Sequence, residues 1–136
     1  MLQLVYISTS REPITDRLLD DILSTSRRNN DRAGVSGLLV AGGRRFLQAL
    51  EGPAAAVLAT YARIAADPRH FAVVQLSCRQ VSDRQFGDWA MAHQAGGNVR
   101  CGDDLKSTVE QLISGLEDRN LRAQFTGFAE IHARAA

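Results

Sequence analysis

Apolar and polar positions along this chain repeat with a period that changes several times, and each change marks an element. Leu2 to Ser8 has the two-residue period of a strand, with Leu4, Tyr6 and Ser8 on one face and Gln3, Val5 and Ile7 on the other. Arg11-Glu12-Pro13 interrupts it, and Thr15 is a candidate cap for a helix with Leu18, Leu19, Ile22, Leu23 and Ser26 on one stripe. Asn29-Asn30 is expected to close that helix, because Asn tolerates the left-handed turn at a helix end. Val35 to Ala41 reads as a second strand, Gly42-Gly43 as a hairpin turn, and Phe46 to Gly52 as a third strand. Gly52-Pro53 opens a second helix with Val57, Tyr61, Ile64 and Ala65 on its apolar stripe. Arg63 lies on its flank, four residues before Asp67, a spacing that allows an ion pair. Asp67-Pro68-Arg69-His70 ends the helix. Phe71 to Arg79 and Phe86 to Ala92 read as fourth and fifth strands, the last with Trp89 and Met91 on one face. After Gly96-Gly97-Asn98, amphipathic patterns predict helices over about Asp103 to Leu116 and about Asp118 to Ala133.

The order is βαββαββ followed by two helices. It implies an α+β fold: a ferredoxin-like sandwich built on a five-stranded mixed sheet. Right-handed crossovers place the first two helices on the same face, over Tyr6 and Gln48. The two C-terminal helices are expected to cover the opposite face.

A chain of 136 residues is long enough for one domain with a real core. With 16 basic and 15 acidic residues, a net charge of +1 supplies no attraction toward nucleic acid or an anionic membrane. No stretch approaches the roughly 20 apolar residues of a membrane span, and the N-terminus has no basic region followed by an apolar run. Cys78 and Cys101 make neither a disulfide framework nor a metal-type spacing. A cytoplasmic protein without a metal is expected. His70, His93 and His132 are scattered, and no nucleophile motif or phosphate-cradling glycine loop is present.

One residue is out of place in this pattern. Gln48 puts an amide between Phe46 and Leu50 on a face that should be buried, where an unpartnered amide costs about 1–3 kcal/mol. Either neighbouring backbone satisfies it or a ligand with its own donors and acceptors does. Asn29-Asn30 carries the same pair of readings: a helix end, or an amide aimed at a ligand.

Several segments together carry a family pattern. They are Leu4-Val5-Tyr6-Ile7-Ser8, Ser26-Arg27-Arg28-Asn29-Asn30, Gly34-Val35-Ser36-Gly37-Leu38-Leu39, Phe46 to Gly52, Asp67-Pro68-Arg69-His70, and Arg84 to Met91. Over residues 1–94 the chain resembles the BLUF family of flavin-based blue-light sensors. The resemblance implies a sensor domain over 1–95; the amphipathic patterns beyond it lead us to expect a C-terminal helical cap or output segment over 96–136 packed on the same domain. It implies a bound flavin, FAD ahead of FMN or riboflavin, lying between the first two helices. Tyr6 is then the photochemical electron and proton donor, and Gln48 lies between its hydroxyl and the ring. Asn30 resembles the residue that bonds the pyrimidine edge, and Arg63 the one that reaches the ring carbonyl. Ser26, Asn29, Phe46, Asp67, Arg69 and His70 resemble further contacts of the ring or its tail, and Trp89 and Met91 the switch pair of the last strand. The implied function is a non-enzymatic photoreceptor that signals to a downstream protein or through a homo-oligomer. A flavin-dependent redox enzyme of the same fold and a cofactor-free interaction module are the alternatives.

Overall fold

The computed structural model describes residues 1–42, 44–83 and 119–132. Its elements run β1 (Leu2–Ser10), α1 (Asp16–Ala33), β2 (Ser36–Gly42), β3 (Arg45–Gly52), α2 (Ala54–Ala65), β4 (His70–Gln80) and α3 (Arg119–His132). The fifth strand with Trp89 and Met91, and the helix expected over 103–116, lie outside the described residues.

The described strands form one antiparallel sheet in the order β2-β3-β1-β4. β1 therefore sits between β3 and β4, and each βα crossover skips one strand, as in a ferredoxin-like sandwich. Both early helices pack on the same face. Leu4, Tyr6, Leu39, Phe46 and Leu50 from the sheet share one buried cluster with Leu19 of α1 and Val57 of α2. α3 covers the other face, touching β2 and β3 and burying Leu121, Phe125 and Phe128.

Thr15 caps α1 as expected, its hydroxyl accepting from the Leu18 amide at 3.1 Å. The far end differs from expectation: α1 runs past Asn29-Asn30 to Ala33. Asn permits a helix end without imposing one. Here Gly34 supplies the left-handed residue, at φ +73°, and the helix continues until it reaches it. In α2, Thr60 is buried and Ala65 is exposed, so the apolar stripe is rotated slightly from the one expected.

Two close approaches position β3. A Cβ on Gly37 would stand 2.0 Å from the Ala49 carbonyl oxygen, so β2 can lie against β3 only with glycine there. Gly52 has the same constraint against the Gly34 carbonyl, at 2.7 Å. In β4 the register with β1 slips between Ile7 and Thr9, and Ala72 there adopts φ +53°. This is a bulge, with one residue more on β4 than on β1.

Candidate functional site

The register of β1 on β3 sets Tyr6 opposite Gln48, while β2 brings Leu39 against Gln48 from the other side. Tyr6 and Gln48 point to the face under α1 and α2, and the Tyr6 hydroxyl donates to Gln48 Oε1. Both side chains are almost fully buried, at 3% and 2% exposure. Burial pushes the Tyr6 phenol well above its usual pKa, and the nearby Tyr61 and Asp67 add to the shift. Tyr6 is therefore a neutral donor at any working pH.

A cleft opens above this pair. Its walls are Ile22 of α1, Ile64 of α2, Leu39 and Phe46, and its polar lining is Tyr6, Gln48, Asp67, Arg69 and His70. The apolar walls suit the faces of a planar ring, and the convergent donors and acceptors suit a polar ring edge. About 50 Å³ of open space lies between these residues.

The segment after α2 builds the charged end of the cleft. Asp67 takes Arg69 on both carboxylate oxygens, through Nε at 3.0 Å and Nη2 at 2.5 Å, and also accepts from the Arg69 amide at 2.9 Å. The Arg69 side chain lowers the Asp67 pKa, and the same bond raises that of Arg69. The Arg63–Asp67 pair allowed by the spacing does not form. α2 ends at Ala65, so Asp67 has left the helical path by the time it is four residues on. Arg63 is exposed and donates instead to Thr60 Oγ1 at 3.4 Å.

His70 bridges two elements. Its Nε2 lies 2.5 Å from the Ile64 carbonyl and its Nδ1 2.8 Å from Ser8 Oγ. The carbonyl can only accept, which assigns a proton to Nε2; in the neutral ring Nδ1 then accepts from Ser8. The ring stands edge-on to Tyr6 and Phe46, with centroids 6.4 and 6.5 Å away. His70 thus ties the end of α2 to β1 and forms one end wall of the cleft.

Tyr6, Phe46, Gln48, Asp67, Arg69 and His70 line one cleft. Asn29 is half-buried on α1, and neither it nor Arg63 is among the described cleft-lining residues. Ser26 and Asn30 belong to α1, and their side chains lie outside the described ones. A polar pair on the opposite sheet face was not anticipated: buried Gln3 donates to buried Glu51 at 3.0 Å, and Arg79 donates to Gln3 at 3.4 Å. Two polar residues at register-matched positions within apolar strands are the signal that could have revealed it. Among the described residues, no helix is long and apolar enough to cross a membrane, and no cluster of His, Cys, Asp and Glu could hold a metal.

Known proteins similar to this chain point to one family. The sequence model of a family described as sensors of blue light using FAD matches residues 1–92. The blue light- and temperature-regulated antirepressor BluF of Escherichia coli is 35% identical over 88 residues, which is 65% of this chain and 22% of that protein. Photoactivated adenylate cyclase subunit beta of Euglena gracilis is 30% identical over 80% of this chain and 13% of its own length. The chain thus spans less than a quarter of either relative. Among solved structures, the dark state of BlrB, a BLUF protein, superposes with a TM-score of 0.67 at 28% identity, covering 98% of this chain and 94% of that one. BlrP1 of Klebsiella pneumoniae superposes at 0.74 and 26% identity, over 96% of this chain and 33% of its own.

Proposed function

This chain belongs to the family of blue-light sensors that use FAD, and from that premise we propose that it signals through Tyr6 and a rearrangement at Gln48. The observation that carries the reading is the buried hydroxyl-to-amide bond on the floor of the cleft. Bound in the cleft, the flavin supplies blue-light absorption and an excited state that accepts one electron. The residues around it do the rest. Tyr6 gives that electron, and Gln48 Oε1 takes its proton. The two ends of the Gln48 amide differ only in donor or acceptor character, so turning it exchanges its bonds without moving the backbone. A stronger bond from Gln48 to the ring would shift absorption to the red.

Asn30 and Arg63 are proposed to bond the pyrimidine edge of the ring. The paired Asp67 and Arg69 are proposed to meet the ring's rim or its tail, and Trp89 and Met91 to respond on the last strand. FAD is the expected flavin, with FMN or riboflavin as alternatives. The sensor is proposed to span 1–95, and the segment 96–136, which includes α3, to carry the output. That output is a change of contacts with a partner protein or a second copy, as would suit a sensor whose relatives are named as an antirepressor and as cyclase subunits. The chain is proposed to act in the cytoplasm and to catalyse no reaction itself.

The absorbance spectrum of the purified protein, dark and after blue light, tests this. A yellow protein with a small, reversible red shift is expected. A protein that stays colourless after reconstitution with excess flavin would overturn the reading.

A further inference from the structure

A second phenol lies against the first. Tyr61, half-buried on α2, has its ring centroid 5.5 Å from that of Tyr6, with the planes tilted by 51°. That is contact distance for an aromatic pair. Tyr6 lines the cleft, whereas Tyr61 is not among the described residues that do. The two phenols also differ in where a proton can go. Tyr6 is buried with its hydroxyl committed to Gln48, while Tyr61 is partly open to water.

This difference matters because a phenol that loses an electron becomes a strong acid, so its oxidation proceeds only where the proton has an acceptor. At Tyr6 the acceptor in contact, among the described residues, is the Gln48 amide oxygen. The burial that resists Tyr6 ionisation also disfavours any charged form of that ring. Tyr61 is only half-buried, so it is less sealed from water than Tyr6.

We propose that Tyr61 is a secondary electron donor that reduces Tyr6 after Tyr6 has been oxidised. The proposal rests on the reading above, in which the oxidant is the photoexcited flavin. In the first step one electron leaves Tyr6 for the flavin and the Tyr6 proton moves toward Gln48. In the second step Tyr61 gives one electron to Tyr6 and releases its phenolic proton to water, while Tyr6 recovers that electron and takes its own proton back from Gln48. No bond between heavy atoms forms or breaks. The net change is that the oxidised site moves from a buried ring at the cleft to a half-exposed ring beyond it, which slows direct return of the electron.

The test uses the flavin-loaded full chain, illuminated with blue light in the presence of a nitroxide radical trap and analysed by peptide mass spectrometry. Trap on the Tyr61 peptide is expected in the lit wild type, and its loss is expected in Tyr6→Phe and in the lit flavin-free protein. A second measurement follows the phenoxyl absorbance after a laser flash. Tyr61→Phe keeps the ring and its packing, and its phenoxyl signal is expected to decay faster than that of the wild type. Formation of the red shift with Tyr61 unlabelled, labelling undiminished in Tyr6→Phe, or an unchanged phenoxyl decay would overturn the proposal. Absence of flavin binding or of any red shift in the wild type would instead overturn the reading on which it rests.

Discussion

Tyr6 and Gln48 face each other across β1 and β3, and the hydroxyl of one donates to the amide oxygen of the other. That bond orients the amide: its oxygen turns toward Tyr6 and its nitrogen away. Tyr6 therefore holds Gln48 in one orientation, and under the proposed mechanism it also supplies the electron whose loss would release it.

Tyr6→Phe and Gln48→Ala are expected to keep flavin and lose the red shift. Each removes a partner of the switch while leaving Ile22, Leu39, Phe46 and Ile64 to hold the ring. Difference spectra of the two variants check this. A full red shift in Gln48→Ala would remove Gln48 from the mechanism.

How much of this was legible beforehand depends on the range of the contact. Strand faces follow from alternation, so the sequence alone puts Tyr6 and Gln48 on one buried face under two helices. The cap at Thr15 is equally local. Partner choice is not. The Arg63–Asp67 spacing assumes that the helix continues, and the chain leaves the helix at Ala65, where a turn hands Asp67 to Arg69. The His70 bridge needs Ser8 and Ile64 to meet, and the bulge at Ala72 beside it follows from pairing rather than composition. Gln3 and Glu51 each look like an ordinary strand position in the sequence, and only the register shows that they face each other.

Arg63 and Arg69 are separable. Arg63 is exposed and bonded to Thr60, while Arg69 lines the cleft. If Arg63 swings to the ring when flavin binds, Arg63→Ala and Asn30→Ala will weaken flavin retention. If Arg69 supplies the charge, Arg69→Ala will do so. Equilibrium dialysis of flavin against each variant decides it, with an expected loss of about 1.5–3 kcal/mol for a hydrogen bond to a charged group.

The Asp67–Arg69 pair sets an acid limit. The folded-state pKa of Asp67 lies below its ordinary value of 3.8, so the pair's stabilisation is fully present above that value and is lost as the pH falls through the lowered one. The pair is partly solvated, with side-chain exposures of 26% for Asp67 and 36% for Arg69, so its contribution is on the order of 1 kcal/mol or less. Asp67→Asn is expected to be slightly less stable at neutral pH and to lose less stability below pH ~4 than the wild type. Urea unfolding across that range measures both.

Glu51 offers a test of the opposite face. Its carboxylate is fully buried and accepts from the Gln3 amide. Glu51→Ala leaves that amide without this partner and is expected to cost about 1–3 kcal/mol. Glu51→Gln keeps an acceptor in the same place and is expected to cost less. Equal losses in urea unfolding would show that the bond to Gln3 contributes nothing.

The last expectation concerns how a change at Gln48 leaves the site. β3 carries Gln48 toward the cleft and Leu47 and Ala49 toward the opposite face, where α3 packs with Leu121, Phe125 and Phe128 buried. One strand thus lies between the two layers, and a small shift of β3 is felt by both. Packed layers answer small shifts by changing arrangement, and two arrangements separated by a few kcal/mol suffice for a switch. Phe125 is the fully buried anchor of α3. Phe125→Ala is expected to cost roughly 3–5 kcal/mol and to loosen α3 even in the dark. Removal of residues 96–136 is expected to keep the red shift and cause self-association, because the sheet face under α3 is then an exposed apolar patch. In the intact chain, hydrogen exchange of the α3 amides is expected to rise in the light and return with dark recovery. Identical exchange in both states, alongside a normal red shift, would remove α3 from the output path.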